Sequence, residues 1–269
     1  MQHCGMHFEE LKPQERAFYS TVLNLLNRSG IPYLVGGAYA FACYTGIVRH
    51  TKDIDIFVRP DDVIRTLHIL DDAGYKTEFT FSHWLGKAYN GENFIDIIFG
   101  SGNGIAIVDD LWFEHAVPDT MMEIPVKLCP PEEIIWSKAL IMERERYDGA
   151  DVAHLLRAQA ERIDWQRLLM RLGSFWRVLL SHLVLFGFIY PSERQRIPQW
   201  VMDELLERLR KEMEMPSPQE KICQGTLISR EQYLPDIEQL GYKDARLSLG
   251  TMTQAQIANW TADIEEHER

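Results

Sequence analysis

Residues 35–58 read VGGAYAFACYTGIVRHTKDIDIFV, and the two ends of this stretch decide how the chain folds. At the first end, Pro32 to Gly37 (PYLVGG) is a short apolar run stopped by a glycine pair, which predicts a strand entering a tight turn. Ala38 to Thr45 is rich in Ala, Phe and Tyr and predicts a buried helix. At the second end, Asp53 to Val58 (DIDIFV) alternates acid and apolar residues before becoming wholly apolar. That period of two predicts a strand with both acids on one face.

The surroundings extend the pattern. Upstream, Phe18, Val22, Leu25 and Leu26 fall at helical spacing within Pro13 to Asn27, and Gly30 ends that helix. Downstream, Asp61 to Ala73 carries Val63, Leu67 and Leu70 on one side and is closed by Gly74. Tyr75 to Phe81 and Trp84 to Tyr89 read as strands, with Asn90-Gly91 as a hairpin signal. Phe94 to Phe99 (FIDIIF) is a strand in which Asp96 interrupts an apolar run, and Pro125 to Leu128 is the last strand. Pro130-Pro131 then opens a different regime, with helices over Glu132 to Arg146, Ala150 to Gln159, Trp165 to Leu172, Phe175 to Phe186 and Gln199 to Met213. Met215 to Gln219 (MPSPQ) reads as a linker, and the polar remainder as a docked tail. The fold class is therefore α+β: a small mixed sheet flanked by helices, followed by a helical domain. The boundaries read as 1–128, 129–214 and 215–269.

Composition narrows the function. The chain carries 40 acidic against 28 basic residues, a formal charge of -12. Phosphates would be repelled over much of such a surface, so non-specific nucleic-acid binding is a poor fit unless a local basic patch or a divalent metal offsets the repulsion. Cys4, Cys43, Cys129 and Cys223 form no CxxC pair, which argues against a zinc site or a disulfide framework. The first residues have no apolar signal core. The longest apolar run, Val178 to Tyr190, falls short of the roughly 18 residues that span a bilayer and is interrupted by Ser181, His182 and Gly187. A cytoplasmic protein without membrane contact is the expectation.

The chemistry gathers around the acids. Asp53 and Asp55 leave one face of one strand a short distance apart, and two carboxylates that close repel each other unless a cation lies between them. Magnesium prefers oxygen ligands and takes one or two carboxylates together with substrate phosphates. Asp96 lies in an apolar strand, where an unpaired acid is costly, and service as a third carboxylate at a metal would give it a reason to be there. Gly36-Gly37 leaves room for backbone to approach a triphosphate. Singly, each feature is commonplace: a D-x-D on a strand, one capping acid, a glycine turn. The weight rests on finding all three in this order.

These residues carry a resemblance. The stretch resembles the signature of the DNA polymerase beta-like nucleotidyltransferase superfamily: an apolar residue, a glycine pair, a short helix, Asp-x-Asp on the next strand and a third acid on a later strand. Fifteen residues separate Gly37 from Asp53, which is slightly longer than the commonest gap. It is similar to the branch of bacterial abortive-infection and toxin-type (AbiEii-like) nucleotidyltransferases, whose Arg-x-Thr/Ser-x-Asp-x-Asp pattern is matched by Arg49, Thr51, Asp53 and Asp55. That branch also carries a lysine on the first helix of the next domain and then an acid. In WSKALIMERERYDGADVAHL the lysine is Lys138, and the acid is Asp151 with Asp148 as a competitor.

The resemblance covers about residues 30–156. It implies transfer of a nucleoside monophosphate from a nucleoside triphosphate such as ATP to an acceptor hydroxyl or phosphate. Asp53, Asp55 and Asp96 would hold magnesium or manganese, Gly36, Gly37, Arg49 and Thr51 would bind the triphosphate, and the site would lie in a cleft between the two domains. Lys138 would neutralise phosphate oxygens there. Its bland alternative is a place on a solvated helix face, and Asp151 would ordinarily be a helix-terminus residue. His83, Lys87 and Asn90, between the acidic strands, read as surface hairpin residues, and Trp84, Trp112 and Trp136 as core.

Three acceptor readings stay open. In the first the chain modifies RNA, such as a tRNA end, as a toxin with an antitoxin partner. In the second it modifies a protein or a small molecule such as an antibiotic. In the third it only binds nucleotide.

Overall fold

A computed structural model describes residues 12–49 and 53–267. The chain divides into two compact units, residues 1–130 and 131–269. The first runs α1 (Pro13–Ser29), β1 (Leu34–Val35), α2 (Gly37–Thr45), β2 (Asp53–Phe57), α3 (Val63–Asp72), β3 (Lys76–Phe81), β4 (Leu85–Asn90), β5 (Asn93–Ile98), α4 (Asp110–Glu114), β6 (Val117–Met121) and β7 (Ile124–Leu128). Its strands form one mixed sheet in the order β3-β4-β5-β2-β1-β7-β6. β2 runs parallel to β5 and β1 parallel to β7, and the other neighbours are antiparallel.

Alternation along DIDIF sets the two faces. Ile54 and Ile56 are buried, whereas Asp53, Asp55 and Phe57 stay half-buried. Ile95 and Ile97 of β5 and Gly86 and Ala88 of β4 continue the buried side. Helices α1 and α3 lie against the sheet and bury Phe18, Val22, Leu23 and Leu26 from one and Leu67 and Leu70 from the other. The half-buried polar side chains therefore collect on the opposite face.

Two elements of this unit have weak sequence signals. Helix α4 is short, and the Asp109 carboxylate caps it by accepting from the Leu111 amide at 3.1 Å. Strand β6 pairs with β7 through Met122 and Glu123, both at positive φ (50° and 66°). Such a turn ordinarily announces itself with Asn or Gly, and neither is there. Cys129 and Cys223 are free thiols. Cys43 is disulfide-bonded, so the expectation drawn from cysteine spacing does not hold at that position.

The second unit runs α5 (Pro131–Ala139), α6 (Gly149–Gln159), α7 (Trp165–Leu172), α8 (Trp176–Ile189) and α9 (Gln199–Glu214). It continues through β8 (Ile222–Cys223), α10 (Leu234–Glu238), β9 (Lys243–Asp244), α11 (Ala245–Ser248) and α12 (Gln254–His267). A buried ionic network joins its helices. Arg167 of α7 donates to Glu133 of α5 at 2.5 and 2.6 Å and also to Glu132, and Arg171 reaches Glu133 at 3.2 Å. Burial pushes the Glu133 carboxyl up, and the two guanidiniums pull against that.

The helix expected to reach Arg146 stops at Ala139. The backbone beyond it takes partners outside any helix. The Met142 amide donates to the Ile228 carbonyl, Glu143 to Arg146, and Asp148 back to Ile141. The polar tail thus packs on this loop and fixes its shape.

The stretch Trp165–Ile189 is long and apolar enough to cross a bilayer by length and composition, and it is the one such stretch among the described residues. Helix α8 continues through Ser181, His182 and Gly187, where the sequence reading had broken the run. Buried His182 shares a hydrogen bond with the Ala139 carbonyl, and Arg167 and Arg171 hold the first part of the stretch to α5. Those contacts bury one side of the stretch, 33 % of its most apolar window, while Val184, Phe188 and Ile189 stay exposed.

Arg230 from the tail clamps the loop through Glu143 and Glu145, with N–O distances of 3.1 and 3.5 Å. Burial raises the Glu143 pKa to about 7, aided by its hydrogen bond to Glu145, which is itself held below the usual range. The native state therefore binds more protons than the unfolded chain between the ordinary glutamate value and about 7, and this carboxyl's contribution to stability falls as pH rises through that window. Glu143→Gln imitates the protonated form. Its unfolding temperature relative to wild type should rise between pH 5 and pH 8, and a difference independent of pH would refute the assignment.

Candidate active site

The glycine pair and the D-x-D strand are packed into one object. The Gly36 amide donates to the Asp55 carbonyl at 3.0 Å, which ties the end of β1 to β2. A Cβ at residue 36 would lie 2.3 Å from the Phe57 ring, and Phe57 in turn stacks on buried Trp112 with centroids 5.4 Å apart. Gly37 has φ +51, and a Cβ there would lie 1.5 Å from Asp55 Oδ2. The Asp55 carboxylate thus occupies the space that a side chain at 37 would need, against the first turn of α2. Backbone amides in that turn lack intrahelical acceptors, and the helix dipole favours negative charge there.

Strand register brings in the third acid. Asp55 pairs with Asp96 across the parallel β2–β5 ladder, and Asp53 pairs with Phe94. Paired residues share a face, so Asp53, Asp55 and Asp96 lie on the same side of the sheet. Lys87 of β4 pairs with Asp96, and Glu78 of β3 pairs with Lys87. One row across four strands therefore reads Glu78, Lys87, Asp96, Asp55, with the sign alternating until the last pair. Lys87 Nζ is 3.0 Å from Asp96 Oδ1 and 4.2 Å from the Phe94 ring centroid. Glu78 accepts from the Tyr89 hydroxyl at 2.6 Å. Burial pushes the Asp96 carboxyl up, Lys87 draws it down, and the nearby Asp53 charge pushes it up again.

Among the described residues, no group of three or more His, Cys, Asp or Glu side chains is gathered closely enough for a metal ion. The three acids share a face on adjacent strands, with Asp55 seated on Gly37 and Asp96 on Lys87. The donor set is wholly carboxylate oxygen, which suits a hard divalent cation that completes its shell with phosphate and water.

The remaining residues named from the sequence are placed as follows. Arg49 is exposed, with its guanidinium 4.6 Å over the Phe41 ring. Thr51 lies outside the described residues. Lys138, in the second unit, is mostly buried, with Nζ 2.8 Å from both Asp148 Oδ2 and Asp151 Oδ2. It lies on no solvated face, and it engages both acids between which the sequence left a choice. Burial works to raise the Asp148 pKa, but Arg146 and Lys138 outweigh that and hold it low. His83 contacts the Gly102 carbonyl through Nε2, and burial lowers its pKa. The place of Lys87, which the sequence reads as a hairpin residue, is countable from the turn. Asn90 pairs with Asn93 across the turn, and three steps back on each strand put Lys87 opposite Asp96.

Residues 15–185 match the protein family described as "uncharacterised nucleotidyltransferase". The chain belongs to this family. Solved structures similar to this nucleotidyltransferase include an antigenic nucleotidyltransferase-like protein from Paracoccidioides brasiliensis, at 16 % identity and TM-score 0.45, covering 69 % of this chain and 93 % of that one. A lincomycin-bound lincosamide antibiotic adenylyltransferase matches at 16 % identity and TM-score 0.38, covering 54 % and 96 %. The antibiotic-resistance factor ANT(2'')-Ia matches at 13 % identity and TM-score 0.39, covering 74 % and 97 %. No curated protein matches the chain.

The contact at residue 37 makes a direct prediction. In Gly37→Ala the new methyl must displace Asp55, and a displacement of that order should lower nucleotidyl transfer by about a hundredfold. Thermal melting should show the first unit still folded. Activity within about threefold of wild type would mean that the Asp55 position does not matter to the reaction.

Proposed function

We propose that this nucleotidyltransferase moves a nucleoside monophosphate from a triphosphate to an acceptor hydroxyl or phosphate, releasing pyrophosphate, at the face bearing Asp53, Asp55 and Asp96. The observation that carries the reading is that the three carboxylates stand on one side of adjacent strands beside a glycine turn that leaves no room for a side chain. In this reading Asp53 and Asp55 hold magnesium or manganese, and Asp96 joins them. When bound, the ions would activate the acceptor oxygen and steady the leaving pyrophosphate.

The chain's own residues do the rest. Gly36 and Gly37 let backbone come close to the phosphates, because neither position projects a side chain. Asp96 takes the proton of the acceptor hydroxyl as the new bond to phosphorus forms. Arg49 and Thr51 hold triphosphate oxygens. A cytoplasmic setting, where nucleoside triphosphates are at hand, belongs to the same proposal.

For the acceptor, the Arg49-x-Thr51-x-Asp53-x-Asp55 pattern supports the toxin-type branch, with an RNA end as acceptor and an antitoxin as partner. The net charge of -12 favours a second acceptor class, a small molecule or a protein, because a long polyanion would meet repulsion over most of the surface.

Transfer from each radiolabelled ribonucleoside triphosphate with magnesium tests the reaction, and the product that carries label names the acceptor class. Asp53→Ala should lower transfer by about a hundred- to a thousandfold, the order that losing one electrostatic contact to developing charge costs. Undiminished transfer in this variant would sink the assignment.

A further inference from the structure

We propose that Lys87 is the resident counter-cation of Asp96, and that a divalent ion gains Asp96 as a ligand only by displacing the Lys87 ammonium. This rests on the reading of Asp53, Asp55 and Asp96 as metal ligands and adds a residue to it.

The geometry is specific. Lys87 Nζ stands 3.0 Å from Asp96 Oδ1, and the two side chains are 19 % and 15 % exposed. This is no flexible surface pair of the kind that contributes little. The ammonium is held from a second side by the Phe94 ring at 4.2 Å, and Phe94 lies on the same strand and face as Asp96. Register fixes the contact, because Lys87 and Asp96 are directly opposed in the antiparallel ladder. The other acid opposed to Lys87, Glu78, is occupied by the Tyr89 hydroxyl at 2.6 Å.

Lys87 thus holds one positive charge against Asp96 from the β4 side of β5, the strand that lies between Lys87 and Asp55 on β2. A lysine and a divalent ion compete for one carboxylate, because the two positive charges repel each other across it. When the ion arrives, the freed ammonium remains on the site face, where it can meet a triphosphate oxygen.

Mn2+ binding to the full-length protein without nucleotide, followed by electron paramagnetic resonance and calorimetry, tests this directly. Lys87→Met keeps the aliphatic stem over Phe94 and removes the charge, and it should bind Mn2+ at least about tenfold more tightly than wild type. Lys87→Arg keeps the charge and should stay near wild type. In an Asp96→Asn background the gain from Lys87→Met should vanish. Equal affinity in Lys87→Met and wild type, or a gain that survives Asp96→Asn, overturns the role of Lys87. Asp53→Ala separates this from failure of the parent reading. If Asp53→Ala weakens Mn2+ binding while Lys87→Met changes nothing, only the inference falls. If no variant binds Mn2+, both fall.

Discussion

The Asp55 carboxylate lies where a side chain at residue 37 would have to be. This exclusion couples the two halves of the sequence signature. It requires glycine at 37 with a positive φ, brings the first turn of α2 against β2, and fixes which way Asp55 points. The same logic acts one residue earlier, where the Phe57 ring fills the space beside Gly36 and rests on Trp112. Phe57 is two residues beyond Asp55 on the same face, so one strand supplies both the acid and the ring that shape the glycine turn. A strand of only two residues, β1, suffices because its end is pinned by the Gly36 amide and by Cys129, whose amide donates to Val35.

Both units place charges away from water and compensate them by the same means. In the second, Glu132 and Glu133 face Arg167 and Arg171 with almost no exposure, and removing either sign would strand the other in a medium that cannot solvate it. In the first, Asp96 is buried enough to be pushed towards its neutral form, and Lys87 opposes that. The glutamates meet two guanidiniums, whereas Asp96 meets the Lys87 ammonium.

The sheet region was largely legible in the sequence because its signals are local. Period-two alternation marked β2, the Asn90-Gly91 turn marked the β4–β5 hairpin, and the glycine pair marked the start of α2. The shared face of the acids followed from alternation within β2, but the pairing of Asp55 with Asp96 joins segments about forty residues apart, and no periodicity carries that register. The misses have the same origin. Strand β6 turns through Met122 and Glu123, which carry no turn signature. Helix α5 ends early because the Met142 amide is claimed by Ile228, far along the chain. Lys138 read as a phosphate-neutralising lysine with a solvated face as the alternative, and no periodicity carries its pairing with both Asp148 and Asp151.

The acidity of the whole chain and the acidity of this face pull on the same question. A nucleoside triphosphate is itself polyanionic, and it must approach a protein of net charge -12 at a face that carries Asp53, Asp55 and Asp96. Under the proposed reaction, a divalent ion held by the carboxylates would turn that repulsion into attraction. Acids that would otherwise bar the nucleotide would then become the reason it binds.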